Sequence, residues 1–207
     1  MGFWSTLKGL LFKITEKPKV SVSFKFKETG FKAYELKKDG FKPRWIVIHH
    51  SLSKDDSQTR NWDAIRKYHL SKGWRDVGYH FGIEYVEGKL KVLEGRAVGD
   101  RGAHAIGFNR SSIGICLVGN FDNVSPSQDQ FSALASLCRG LQRDFDIDRD
   151  QVIGHRETYD KRNVAREKSC PGELFDMDKF RLMCTDPGRK LPKGERYRFA
   201  SVIGKEV

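Results

Sequence analysis

VIGHRETYDKRNVAREKSCP, residues 152–171, places an imidazole, an ammonium and a thiol behind a short apolar strand. His155 follows Val152-Ile153-Gly154, where a strand hands over to a loop. Cys170 lies between Ser169 and Pro171, where proline prevents a helix from crossing it. The gap between His155 and Cys170 is too long for a zinc finger, whose ligands come in close pairs, so a third ligand has to come from far upstream. His49 is the candidate. It ends a second apolar run, Trp45-Ile46-Val47-Ile48-His49-His50-Ser51, which has the composition of a buried strand. Three protein ligands, His49, His155 and Cys170, leave a fourth tetrahedral position for water, the arrangement of a catalytic rather than a structural zinc.

Working outward, strands alternate with helices. Asn61 to Leu70 carries Trp62, Ile65, Tyr68 and His69 at helical spacing, with Gly73 as the stop. Trp74 to Val86 leads into a strand, and Glu87-Gly88 turns it into a hairpin with 89–93. Ser112 to Gly119 is a third buried strand, and Pro126 to Phe145 is the clearest helix, with Phe131, Leu134, Leu137, Cys138, Leu141 and Phe145 on one side. A short last helix is expected over Asp178 to Cys184. The pattern predicts an α/β domain, a central mixed β-sheet flanked by helices, over residues 41–184.

Charge divides the chain differently. Residues 1–45 carry eleven Lys or Arg against four acids, and 185–207 carry six against three, so of the net +11 the middle retains only +1. The basic character therefore belongs to an N-terminal extension, 1–40, and a C-terminal tail, 185–207. Such ends seek an anionic partner. In the extension Phe3, Trp4, Leu7, Leu10, Leu11 and Ile14 fall on one helical face, and Val20 to Lys27 alternates as a half-exposed strand. The stripe is interrupted by Lys8 and Lys13 and no small-residue cleavage site follows, which argues against a signal peptide. With the lysines behind it, the stripe suits a helix lying on an anionic membrane or envelope surface; the alternative is that it packs on the α/β domain and covers its sheet. Nucleic acid is excluded as a partner, because no stacking aromatics interleave with the basic residues in a binding motif. Cys116, Cys138, Cys170 and Cys184 have no framework spacing and read as reduced thiols of a protein made in a cytoplasm. Cys116 and Cys138 read as small buried hydrophobes.

From about Trp45 to Phe180 the chain resembles the zinc-dependent N-acetylmuramoyl-L-alanine amidases, which include phage lysozyme-type endolysins, and it is similar to the peptidoglycan recognition proteins of animals. The resemblance rests on five ordered blocks: IVIHHS (46–51), GWRDVGYHF (73–81), GAHAIGFNRSSIGICLVGNF (102–121), GHRE (154–157) and KSCPG (168–172). It implies zinc held by His49, His155 and Cys170, Tyr79 and Lys168 as catalytic side chains, and bacterial peptidoglycan as the partner of a monomeric enzyme. Relatives that bind zinc through an aspartate carry a glutamate base in the strand where this chain has Cys116. A buried thiol cannot replace that carboxylate, so the chain falls with the cysteine-ligand branch.

The resemblance further places His104, Gly107, Phe108, Asn109 and Arg110 in a loop facing the stem peptide, and the arginine suits the extra carboxylate of meso-diaminopimelate. His50 and His80 are expected to be structural, because neighbours on a strand face opposite ways. The chemistry follows from these parts. Lys168 is placed to stabilise an oxyanion, and Tyr79 to offer its hydroxyl at the rim. The function implied is hydrolysis of the bond between N-acetylmuramic acid and L-alanine by a phage or prophage endolysin, made in the host cytoplasm without a signal peptide and acting on the wall. The alternative is a non-catalytic peptidoglycan-binding module, against which the presence of all three ligands argues.

Overall fold

A computed structural model describes residues 43–53 and 61–184. The expected helix at 3–14, the strand at 20–27 and the basic tail lie outside them. Five strands form one sheet: β1 (Trp45–His50), β2 (Phe81–Val86), β3 (Lys89–Glu94), β4 (Ser112–Leu117) and β5 (Val152–Gly154). Their order is β3-β2-β4-β1-β5, with β3 antiparallel to β2 and the other neighbours parallel. Five helices complete the described chain: α1 (Asn61–Ser71), α2 (Gln128–Phe145), α3 (Glu157–Lys161), α4 (Met177–Met183) and a 3-10 turn at Arg149–Gln151. The mixed sheet with flanking helices is the predicted architecture.

β1 lies between β4 and β5 and is a continuous apolar run because both of its faces are covered. Ile46 and Ile48 point to one side, where Ile113, Ile115 and Leu117 of β4 join them against Phe131, Leu134, Leu137, Cys138 and Leu141 of α2 and Phe180 of α4. Each of these large side chains contributes about 1.5–3 kcal/mol by leaving water. α2 begins two residues later than the Ser125-Pro126 signal suggests. Ser127 accepts from the Gln130 backbone N–H and Gln130 reaches back to the Ser127 N–H, and this capping box overrides the proline as the start. Asp146 closes the helix in the left-handed region.

The opposite face of the sheet is built differently. It presents Gly82 and Glu84 on β2, Ser112, Gly114 and Cys116 on β4, and Val47 and His49 on β1. Small and polar groups leave room there for rings arriving from loops and from α1. Glu84, fully buried, accepts from the backbone N–H groups of Asn61 and Trp62, so a carboxylate on β2 satisfies the N-terminus of α1. Trp62 lies flat over Gly82, where a Cβ would meet its ring at 2.4 Å. The β2–β3 hairpin turns as expected at Glu87 and Gly88, both with positive φ, as a two-residue type I′ turn requires.

α3 is the element that periodicity did not predict. Its five residues show no apolar stripe. It is held by Glu157, which accepts from the Gly154 N–H and pairs with Arg181 of α4 at 2.9 Å. No helix among the described residues is long and apolar enough to cross a membrane.

Candidate metal centre

β1 and β5 are adjacent and parallel, with Ile48 opposite Gly154, so the residues that follow them emerge side by side. His49 is the next residue on β1, and His155 extends the ladder by donating its N–H to the Ile48 carbonyl at 3.0 Å. Their rings lie 4.6 Å apart between centroids. This is the carboxyl edge of the sheet's parallel strands, where open α/β folds place their sites. Cys170 returns to the same point because the Arg156 N–H donates to its carbonyl at 2.7 Å.

The loop bearing Cys170 is gripped from two sides. The Arg156 guanidinium donates to the carbonyls of Ser169, Gly172 and Phe175, and Asp122 accepts from the Ser169 hydroxyl at 3.0 Å and the Glu173 N–H at 2.9 Å. Arg156 thus ties the residue after one histidine to the segment carrying the thiol. Neither it nor Asp122 was singled out in the sequence; the Arg in GHRE was the only trace.

One ligand atom from each of His49, His155 and Cys170 lies within 4.8 Å of the others. His49 Nδ1 and Cys170 Sγ are 3.6 Å apart. Two ligands of a tetrahedral zinc, with Zn–N of 2.0–2.1 Å and Zn–S of about 2.3 Å, stand about 3.6 Å apart. The donor set therefore fits zinc without rearrangement of this pair. The protonation states fit as well. Burial, reinforced by His155 and His104, holds His49 well below the usual imidazole range, and burial with Lys168 and Arg162 pulls His155 to about 4. Both rings are neutral at neutral pH, with lone pairs available. Burial pushes the metal-free Cys170 thiol to about 12, although the His50 backbone N–H that reaches its sulfur favours the thiolate.

Lys168 is exposed and near enough to depress His49, His155 and Cys170. The Tyr79 ring stands 5.1 Å from that of His49 and is backed by Trp62 and His69. Tyr79 is half-buried, with its phenol close enough to the buried Cys116 thiol for each to shift the other. Cys116 is the small buried hydrophobe expected, packed with Trp62 and Val77 and standing opposite His49 in the sheet register. Burial, then Cys116 and Cys170, pushes the Tyr79 phenol well above its usual value, so it stays a proton donor.

His50 and His80 take the structural places expected of them. His50 turns to the other face of the sheet, where its Nδ1 accepts from the Phe121 N–H. His80 Nδ1 accepts from the Gly114 N–H, leaving Nε2–H to donate to the Asp100 carbonyl.

The loop assigned to the stem peptide divides into two parts. Gly107 turns it with φ +84, and Arg110 and Ile106 are exposed. Phe108 faces inward, 7% exposed, packed with Val47 and Ile153 and edge-on to Trp45. Asn109 Oδ1 accepts from the N–H groups of His104 and Ala105, which makes it part of the loop's framework. His104 itself lies against His49, with 3.0 Å between ring nitrogens. Arg162, beyond α3, crosses Gly107 so closely that a Cβ there would meet its Cδ at 2.8 Å. Nothing in the sequence linked it to this loop.

Acid should destabilise the metal-free protein through these imidazoles. His80, like His155, is drawn to about 4 chiefly by burial, whereas an unfolded histidine titrates near 6.5. Between those values the unfolded chain binds protons that the native one refuses. Stability is therefore complete above about pH 6.5 and falls as the pH drops towards 4. Urea midpoints of metal-free protein should be level from pH 8 to 7 and decline below about 6.5; a level midpoint down to 4.5 would contradict the burial of these rings.

Residues 39–173 match the family model of N-acetylmuramoyl-L-alanine amidases. The chain is 41% identical to the endolysin of Enterobacteria phage T3 over 163 residues, covering 72% of this chain and 97% of that one. Among solved structures it is similar to the N-acetylmuramoyl-L-alanine amidase LysC of Clostridium intestinale, with a TM-score of 0.55 and 27% identity over 69% of this chain and 85% of that one. It is likewise similar to the ectodomain complex of peptidoglycan recognition proteins LCa and LCx bound to tracheal cytotoxin, with a TM-score of 0.54 and 26% identity over 72% and 84% of the two chains. Since the match spans the sheet and both ligand-bearing ends of the site, the chain belongs to the N-acetylmuramoyl-L-alanine amidase family.

Proposed function

We propose that this amidase is zinc-dependent, cuts peptidoglycan between N-acetylmuramic acid and L-alanine, and serves as a phage or prophage endolysin. The observation that carries the reading is the convergence of His49, His155 and Cys170 to within 4.8 Å, with Lys168 and Tyr79 beside them. Zinc bound there lowers the pKa of its water to about 7 and polarises a carbonyl. Lys168 places a positive charge where the scissile carbonyl oxygen becomes an oxyanion, and a protonated ammonium there can also supply the leaving amine. Tyr79 offers its protonated hydroxyl to the oxyanion or the water.

Arg110, with Arg162 across Gly107, offers guanidinium groups to the carboxylate of meso-diaminopimelate in the stem peptide, and Gly107 lets the chain approach closely. The protein is made in a host cytoplasm, acts on the wall and works as a monomer. Metal analysis combined with mass analysis of digested peptidoglycan tests the whole reading. One zinc per chain and release of stem peptides with a free L-alanine amine are expected; purified active protein without stoichiometric zinc would defeat it.

The basic extension gives a separate expectation. Phe3, Trp4, Leu7, Leu10, Leu11 and Ile14 would lie in an anionic lipid or envelope surface, with Lys17, Lys19, Lys25 and Lys27 behind them. Each lysine near such a surface contributes about 1 kcal/mol, screened within about 8 Å at physiological salt. Removing residues 1–15 should leave hydrolysis of purified peptidoglycan intact and weaken vesicle binding and lysis of whole cells, more so at low salt. Insolubility, or lost activity on purified wall, would assign the segment to the amidase core instead.

A further inference from the structure

His49 turns Nδ1 towards Cys170 at 3.6 Å and Nε2 towards Nδ1 of His104 at 3.0 Å. An imidazole that gives the Nδ1 lone pair to a metal carries its proton on Nε2. His49 is then the donor of the second bond and His104 Nδ1 the acceptor. That leaves the His104 proton on Nε2, which lies 3.4 Å from the Ser112 hydroxyl oxygen. Ser112 in turn donates to the Phe108 carbonyl at 2.8 Å. Each donor in the sequence has one acceptor, and the proton order runs outward from the metal centre to a backbone carbonyl.

The surroundings of His104 are shaped to this placement. Its ring occupies space that a side chain at two glycines would fill. A Cβ on Gly102 would meet it at 2.5 Å, and one on Gly114 at 2.6 Å. Gly114 lies in the middle of buried β4, where a glycine weakens a strand and commonly marks the close approach of another group. Asn109 holds the His104 and Ala105 N–H groups at 2.7 and 2.9 Å. His80 lies edge-on at 5.7 Å, itself fixed between Gly114 and Asp100.

We propose that His104 is a positioning residue for the metal centre: by accepting the Nε2–H of His49 it fixes Nδ1 as the ligating nitrogen, sets the ring's orientation and ties the site to the loop formed by residues 102–110. The inference rests on the reading of His49 as a zinc ligand. It assigns His104 to the support of a ligand rather than to contact with substrate. Partners of this kind hold the ligand's tautomer, and their loss typically lowers metal affinity 10- to 100-fold.

Two replacements separate the acceptor from the volume. His104→Phe keeps a ring and removes the acceptor; His104→Asn keeps an oxygen close to the place of Nδ1 and gives up volume. Zinc affinity, measured by competition with a chromophoric chelator, should fall about 10- to 100-fold in His104→Phe and return to within about threefold of wild type in His104→Asn. The melting midpoints of the metal-free proteins should not follow that order. Nitrogen-15 NMR of the zinc-loaded wild type should place the His49 proton on Nε2. Unchanged zinc affinity in His104→Phe, equal losses in both variants, or a His49 proton on Nδ1 would overturn the proposal, and the NMR result decides even if His104→Phe does not fold. A wild-type protein that binds no zinc would instead remove the metal reading on which the proposal stands.

Discussion

Replacing Cys170 by serine should remove zinc and peptidoglycan hydrolysis together. The thiol is one of three atoms gathered within 4.8 Å, and among them it alone becomes an anion on binding a metal. In the metal-free protein burial holds it protonated, with a pKa of about 12, so the metal itself must displace the proton. A serine hydroxyl, with a much higher intrinsic pKa and a harder oxygen, does not make that exchange at neutral pH. The expected result is loss of stoichiometric zinc and at least about a thousandfold loss of turnover, on the order of 4 kcal/mol in the barrier. Serine is close to isosteric with cysteine, and the surrounding loop is held by Arg156 and Asp122 through groups the substitution does not touch. The metal-free variant should therefore melt near the metal-free wild type. Metal analysis and turnover on purified peptidoglycan decide the matter; a Cys170→Ser protein retaining both zinc and activity would dismantle the site.

The second large effect separates chemistry from metal binding. Lys168→Ala and Tyr79→Phe should each keep zinc and still bind muropeptide, while turnover falls roughly a hundredfold or more, as when a single oxyanion partner is removed. Lys168 acts through its charge, being exposed and close enough to His155 and Cys170 to depress both. Tyr79 acts through its hydroxyl, since the ring that packs against His49 and Trp62 remains in Tyr79→Phe. The Cys116 thiol keeps its contact with the Leu117 carbonyl at 3.7 Å in that substitution. Steady-state kinetics beside a binding isotherm distinguishes the possibilities. Weaker binding at unchanged turnover would make both residues part of substrate recognition.

Much of the candidate ligand set was legible because residues gathered at a sheet edge leave local marks. An apolar run ending in histidine says that a buried strand stops there, and a cysteine before proline says that a loop holds a thiol. The strongly periodic α2 was legible for the same reason: its stripe of Phe131, Leu134, Leu137, Cys138 and Leu141 is the imprint of the surface it covers. α3 was not legible, because a five-residue helix held by Glu157 to Gly154 and Arg181 has no periodicity to display.

Sequence alone therefore determined the α/β class, the ends of the two histidine-bearing strands and the identity of three ligand candidates. Tertiary structure decided which nitrogen of His49 meets Cys170, that His104 stands behind it, that Phe108 and Asn109 build their loop from within, and that the Tyr79 ring packs beside His49. Strand patterning records only which face a side chain takes, with a period of two. Ring orientation and hydrogen-bond direction depend on neighbours tens of residues away, brought together by the parallel register of β1 with β4 and β5 and by the space left at Gly102 and Gly114.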